Sequence, residues 1–202
     1  MNSSDIIKPL STPVLILAAG ASRRMGRPKA LLPWGAGSLL DRAIIQARCL
    51  GAEVWVIGGC YYPLMRYRCQ QQPRRWLYNP AWDEGMASSL RLGLQSAPAS
   101  VAGAFIVLVD QPLIAEDGLR QLREAAAAAP GMAVAADYGG RPGAPAYLPR
   151  SFWPAAMALR GDRGAARLLR QAQARRLTLP GAATDLDTLA DWRRHRAQAG
   201  SQ

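Results

Sequence analysis

Apolar residues in this chain gather in short continuous runs, each stopped by a breaker, with longer segments of helical period between them. Val14 to Ala19 is the first run and ends at Gly20. Val54 to Ile57, ending at Gly58-Gly59, and Phe105 to Val109, ending at Asp110, repeat the pattern. Runs of this length, rich in branched side chains, suit strands buried on both faces. Met132 to Ala136 reads as a further strand, weakened by its alanines, and Arg176 to Leu179 is strand-like. The segment Ser38 to Leu50 carries apolar residues at 39, 40, 43, 44, 47 and 50, with Ser38 as N-cap and Gly51 as a stop, and predicts a helix. Leu113 to Ala129, closed by Pro130-Gly131, predicts a second. Gly164 to Ala174 and Thr188 to Ala199 predict two more, the last capped by Asp187 or Thr188. Strand and helix in alternation predict an α/β fold around a mostly parallel, doubly wound sheet.

Length and composition fit this pattern. The chain has 202 residues, of which 50% are hydrophobic and 19% charged, enough for one globular domain with its own core. That single domain is expected to span 1–202, with its core at about 12–196 and short flexible termini. The net charge of +11 favours an anionic partner: nucleic acid, a membrane surface or a polyphosphate. No nucleic-acid-binding module or aromatic–basic platform is recognisable, so nucleic acid is not the expected partner. Nor is a membrane, since no run reaches the roughly 18 apolar residues of a spanning helix. Asp5, Lys8 and Pro9 precede any apolar run and do not read as a secretory signal, so a soluble cytoplasmic protein is expected.

The residue inventory also removes some chemistry. Cys49, Cys60 and Cys69 are odd in number and form no C-x-x-C pair, which suggests neither a disulfide framework nor a zinc site. Reduced thiols are the expectation. His195, the sole histidine, lies in the basic run 193–196 and is expected at the surface. Catalysis by a serine–histidine or cysteine–histidine pair therefore has no support.

Three segments offer chemistry instead. Leu17-Ala-Ala-Gly-Ala-Ser-Arg-Arg-Met-Gly-Arg-Pro-Lys29 follows the first strand directly, at the edge where open α/β sheets bind ligands. Ala18, Ala19, Gly20 and Gly26 keep the loop slim, so backbone N–H groups can approach a phosphate chain. Arg24 and Lys29 add positive charge against a triphosphate. Neither Walker A nor the dinucleotide fingerprint is present. Asp110, at the end of an apolar strand and followed by Gln111-Pro112, points a carboxylate at the same edge; it suits Mg²⁺, or else caps the helix near Leu113. Asp185-Leu186-Asp187-Thr188 places two acids before the last helix, where one could face a metal or both could be capping residues.

These residues resemble the molybdenum cofactor nucleotidyltransferases, and look most like the cytidylyltransferase branch and its accessory relatives. The pattern L-A-A-G-x-S-x-R-M-G-x-x-K is met in full by Leu17, Ala18, Ala19, Gly20, Ser22, Arg24, Met25, Gly26 and Lys29. Asn79-x-x-Trp82-x-x-Gly85-Met86-x-x-Ser89-Leu90, Asp110-x-Pro112, Gly143-x-Pro145, Gly161-Asp162-x-Gly164 and Asp185-x-Asp187-Thr188 follow in family order. The resemblance implies a three-layer, Rossmann-like nucleotidyltransferase fold. Arg24, Lys29 and Asp110 would be catalytic, with Asp110 and Asp187 holding Mg²⁺. Leu17, Ala18, Ala19, Gly20, Ser22, Asn79, Gly85, Ser88 and Ser89 would surround the nucleotide, with Ser88 and Ser89 at a helix start. Trp82 and Met86 are expected to be packing residues.

The implied reaction moves CMP from CTP, preferred over GTP, to the phosphate of a molybdopterin-type acceptor, with a molybdenum hydroxylase as the client. Ala144 stands where the family often has histidine, Arg167 lies one place late, and Leu189-Ala190 replace Pro-Glu. These departures bear on the acceptor. A sugar- or polyol-phosphate nucleotidyltransferase and a non-catalytic cofactor carrier are the alternatives.

Overall fold

The computed structural model describes residues 12–162 and 165–197. In chain order its strands are β1 (Val14–Ala18), β2 (Pro33–Trp34), β3 (Gly37–Ser38), β4 (Val54–Gly58), β5 (Arg75–Tyr78), β6 (Gly103–Leu108), β7 (Val134–Asp137), β8 (Pro142–Pro149) and β9 (Arg175–Leu177). The helices are α1 (Leu39–Arg48), α2 (Tyr62–Arg68), α3 (Met86–Gln95), α4 (Glu116–Ala128), α5 (Trp153–Met157), α6 (Ala166–Gln171) and α7 (Leu189–His195). Seven strands form the main sheet in the order β5-β4-β1-β6-β8-β7-β9, and β2 and β3 form a small hairpin. β5, β4, β1 and β6 run parallel, β8 is antiparallel to both β6 and β7, and β9 is parallel to β7. The fold is α/β, Rossmann-like and mostly parallel.

Alternation along β1 explains the layers. Val14, Ile16 and Ala18 enter one core with Ile44 of α1 and Leu119 and Leu122 of α4. Leu15 and Leu17 enter the core on the other face with Leu90 and Leu94 of α3 and Leu168 and Leu169 of α6. A strand buried on both faces needs no polar side, which is why it reads as a continuous apolar run.

Some elements depart from the expected pattern. β8 carries Pro142, Pro145 and Pro149, a composition that argues against a strand between two neighbours. Its register with β7 shifts between Ala135 and Ala136, so Ala144 and Pro145 fall at the irregularity and the missing N–H breaks no ladder bond. β5 lies at the sheet edge with exposed Arg75 and Tyr78, so no apolar run announced it. The second expected helix begins at Glu116 and not at Leu113: Ala115, its N-cap, has extended backbone, and Leu113 packs against the cluster of Met25, Leu32, Trp34, Leu39 and Leu186. The start of the expected 164–174 helix at Gly164, and the end of the last at Ala199, lie outside the described residues, as does the segment with Asp5, Lys8 and Pro9. No described helix is long and apolar enough to cross a membrane.

Candidate active site

β1 sits between β4 and β6, and the loop leaving it is bent back beneath the sheet edge by three local devices. Ser22 adopts a left-handed conformation with φ 51°. Its hydroxyl accepts the Lys29 backbone N–H at 3.0 Å, which staples the two ends of the loop together. Met25 is buried in the cluster with Leu32, Trp34, Leu39 and Leu186, so the loop is anchored from below while Arg23 and Arg24 stay exposed.

This geometry carries Lys29 to two acids that are distant in sequence. Its ammonium donates to Asp110 Oδ2 at 3.1 Å and to Asp187 Oδ1 at 3.2 Å. Arg24 lies 3.5 Å from the other oxygen of Asp187. The Leu186 N–H donates to the Asp110 carbonyl at 2.9 Å, which ties the loop after β9 to the end of β6 and sets Asp187 beside Asp110. Arg24, Lys29, Asp110 and Asp187 are thus brought together. Asp110 does not cap α4, whose N-cap is Ala115, and Thr188 caps α7 through a capping box with Asp191. Neither capping alternative for these acids is realised.

One lysine between two carboxylates does not satisfy them. Asp110 Oδ1 is buried and has no hydrogen-bond partner. An unpaired buried carboxylate oxygen is costly, and a divalent cation held there would relieve it. Among the described residues no three acids, histidines or cysteines cluster as a closed metal cage. Mg²⁺ commonly uses one or two carboxylates and takes its other ligands from water and substrate phosphates, so Asp110 and Asp187 could hold it.

Asp185 is separated from this group. It accepts from Gln111 Nε2 at 3.0 Å, which also donates to the Ala144 carbonyl at 3.1 Å and to the Tyr138 hydroxyl. Tyr138 in turn donates to the Ala144 carbonyl. Desolvation raises the pKa of Asp185 against that hydrogen bond, and the charges of Asp110 and Asp187 push it the same way. Desolvation, together with Asp185, also raises that of Tyr138. Gln111 is 3% exposed, and its Oε1 has no partner.

Three adjoining cavities open along the sheet edge. The first, about 500 Å³, is bordered by Leu17, Ala18, Gly20, Ser22, Arg23, Arg24, Lys29, Asp110 and Asp187. The second, about 330 Å³, is bordered by Ala19, Gly20, Trp82, Gly85 and Ser89. The third, about 300 Å³, is largely apolar and is bordered by Ile106, Leu108, Gln111, Tyr138, Ala144 and Asp185. Asn79 lies just behind the second. Its amide donates to the hydroxyls of Ser88 and Ser89 at 2.8 and 3.0 Å, and its Oδ1 accepts the Ala81 N–H at 3.0 Å. Ser88 is buried and its hydroxyl donates to the Gly85 carbonyl at 2.8 Å, so Asn79 and Ser88 shape this wall from inside. Gly59 makes the wall close: a Cβ there would lie 2.5 Å from Trp82 Cβ and 2.6 Å from the Ala19 carbonyl.

Met86 corrects an expectation. It is 37% exposed and borders all three cavities, so it is not a packing residue. Trp82 is half-buried against the second cavity. Arg23, Tyr61 and Asp162 also border the first cavity and were not singled out from sequence; only Asp162, in the fifth motif, carried any signal. His195 is half-buried at the end of α7, against the surface position expected. All three cysteines are free. Cys69 donates to Asp41 Oδ1 at 3.1 Å, and burial, then Asp41, pushes its pKa up to about 12.

Comparison with known proteins bears on the family and the fold. Residues 14–177 match the model of the MobA-like NTP transferase domain. The chain is 32% identical to nicotine blue oxidoreductase of Paenarthrobacter nicotinovorans, over 85% of this chain and 86% of that protein. It is equally 32% identical to purine catabolism protein PucB of Bacillus subtilis, over 81% and 84%. Molybdenum cofactor cytidylyltransferase of Escherichia coli is 27% identical over 54% of this chain and 56% of its own. Among solved structures, Rv0371c of Mycobacterium tuberculosis superposes with a TM-score of 0.79 at 26% identity, covering 92% of this chain and 98% of that one. The same protein has been solved as a manganese complex, with a TM-score of 0.71 at 25% identity, covering 91% and 97%. The two relatives at one identity bear different names, and what the match over residues 14–177 shows is the domain: the chain belongs to the MobA-like NTP transferase family.

Proposed function

We propose that the protein transfers CMP from CTP to the phosphate of a molybdopterin-type acceptor, releasing pyrophosphate, with Mg²⁺ at Asp110 and Asp187. The observation that carries this is the Lys29 ammonium between two carboxylates, with an unpartnered Asp110 oxygen beside it, in a cavity edged by Arg23 and Arg24. Acids facing a polyanion make sense when a divalent cation lies between them. The manganese complex of a relative supports a divalent metal on this fold.

In this reading the first cavity takes the triphosphate, the second the base and the third the acceptor. An acceptor phosphate oxygen attacks the α-phosphorus as the bond to the β-phosphate breaks. The acceptor phosphate is already ionised at neutral pH, so no side-chain nucleophile is needed. Lys29, Arg23 and Arg24 hold the phosphates and oppose the charge that develops on them. Bound Mg²⁺ would supply further charge neutralisation on the phosphates. Ser22 keeps Lys29 in place through its backbone, and Asn79 keeps the α3 start in place through both serines.

The apolar third cavity suits a flat heterocyclic acceptor better than a polyhydroxylated sugar, which favours a molybdopterin-type substrate over a sugar phosphate. A molybdenum hydroxylase would be the recipient of the product. The test is an acceptor panel: pyrophosphate release with CTP and Mg²⁺, measured with molybdenum cofactor and with sugar and polyol phosphates. Release with molybdenum cofactor alone supports the reading, and release with a sugar phosphate alone overturns it.

A further inference from the structure

The two nucleotide-side cavities share one acidic side chain. Leu17, Gly20, Arg23, Met86 and Asp162 border both. Of these, Arg23 suits phosphate, and Asp162 is the one carboxylate. Unlike Asp110 and Asp187, it makes no ion pair or hydrogen bond among the described residues. Asp162 is exposed, and a carboxylate beside a triphosphate is repulsive unless the ligand offers it hydrogen-bond donors.

The backbone holds this residue where it is. Gly85 has φ 103°, and a Cβ there would lie 2.4 Å from the Gly161 carbonyl carbon and 2.7 Å from the Asp162 nitrogen. The Ala87 N–H at the start of α3 donates to the Gly161 carbonyl at 3.0 Å. The turn that carries Asp162 is therefore seated on the α3 start, at the junction of the two cavities.

We propose that Asp162 recognises the ribose of the bound nucleotide, its carboxylate accepting from the 2′- and 3′-hydroxyls. Of the parts of a nucleoside triphosphate, the ribose lies between base and phosphates, and its cis-diol is the neutral donor pair that a carboxylate accepts in two bonds. Acidic side chains take that role on ribose in other α/β nucleotide sites. Asp83 borders the second cavity alone and provides the control. This inference rests on the nucleotide reading of the site.

The test is equilibrium binding of CTP, 2′-deoxy-CTP and 3′-deoxy-CTP, with Mg²⁺, to the native protein and to Asp162→Asn, Asp162→Ala and Asp83→Asn. Native protein should bind CTP about ten- to hundredfold tighter than either deoxy analogue. Both Asp162 variants should shrink that margin by weakening CTP binding more than binding of either analogue, which keeps only one of the two hydroxyls, and Asp83→Asn should keep it. A margin that survives in both Asp162 variants, or an equal loss for all three nucleotides, overturns the ribose assignment alone. Native protein that binds none of the three overturns the nucleotide reading with it.

Discussion

The Lys29 ammonium lies 3.1 Å from a carboxylate oxygen of Asp110, across 81 residues of sequence. One partner comes from the loop after β1 and the other from the end of β6, adjacent strands in register from Val14–Phe105 to Leu17–Leu108. Parallel neighbours bring their carboxyl-terminal loops to one edge, so the pairing follows from topology. Asp187 completes the group at 3.2 Å.

Lys29→Ala and Asp110→Ala should each lower turnover by about two to three powers of ten. Metal binding separates them. With Lys29 gone, Asp110 and Asp187 lose the cation that neutralises them, so Mn²⁺ should bind more tightly without nucleotide. With Asp110 gone it should bind more weakly. Electron paramagnetic resonance titration of free Mn²⁺ reads both, and near-native turnover in either folded variant would contradict the assigned roles.

Gly85→Ala should destabilise the protein by at least about 2 kcal/mol, because a left-handed φ and a close backbone neighbour both oppose a side chain. The strain falls on the α3 start and the Asp162 turn. Weaker nucleotide binding should accompany a lower Tm, and a variant with native Tm and affinity would show that this contact is soft.

Asp41 offers a stability prediction with a definite pH sign. Burial raises its pKa, but hydrogen bonds from Ser38, Gln71 and Cys69 outweigh burial and hold it below the usual 3.8. Oδ1 accepts from Gln70 N at 2.8 Å and Gln71 N at 2.7 Å, and Oδ2 from Ser38 Oγ at 2.6 Å. A depressed folded pKa contributes stability that is present above the unfolded pKa and is lost as pH falls through the folded one. Asp41→Asn should therefore cost about 3 kcal/mol at neutral pH and progressively less below pH 3.8. Denaturant melts across that range decide it, and a loss independent of pH would contradict the account.

Much of this was legible before any coordinates. The 17–29 loop announced itself because small residues, arginines and a lysine directly follow a buried strand, and Asp110 because a strand end fixes where it points. Asp185 and Asp187 could not be told apart by spacing. What separates them is a backbone bond from Leu186 to the Asp110 carbonyl and a side-chain bond from Gln111, both long-range. β8 was hidden by prolines that sit at its ends and at a register shift. Met86 reads like any helix-face methionine, and the three cavities it borders form only in the fold.

Ala19 bears on nucleotide choice. It is 5% exposed, borders the second cavity, and its carbonyl accepts the Cys60 N–H at 3.0 Å. A methyl group there narrows the space for a bicyclic base more than for a monocyclic one. Discrimination by one methyl is worth roughly 1–3 kcal/mol, so a preference for CTP over GTP is expected, and Ala19→Gly should narrow it. Specificity constants for the two nucleotides check this, and a native preference for GTP would contradict it.

The central claim is nucleotidyl transfer at the Lys29–Asp110–Asp187 group, and isotope tracing tests it most directly. CTP labelled at the α-phosphate and CTP labelled at the γ-phosphate are each incubated with the protein, Mg²⁺ and molybdenum cofactor. The account predicts that α-label moves to the acceptor and γ-label leaves in pyrophosphate, and that neither occurs with Asp110→Ala. Release of γ-label as inorganic phosphate, or no movement of α-label, would contradict it.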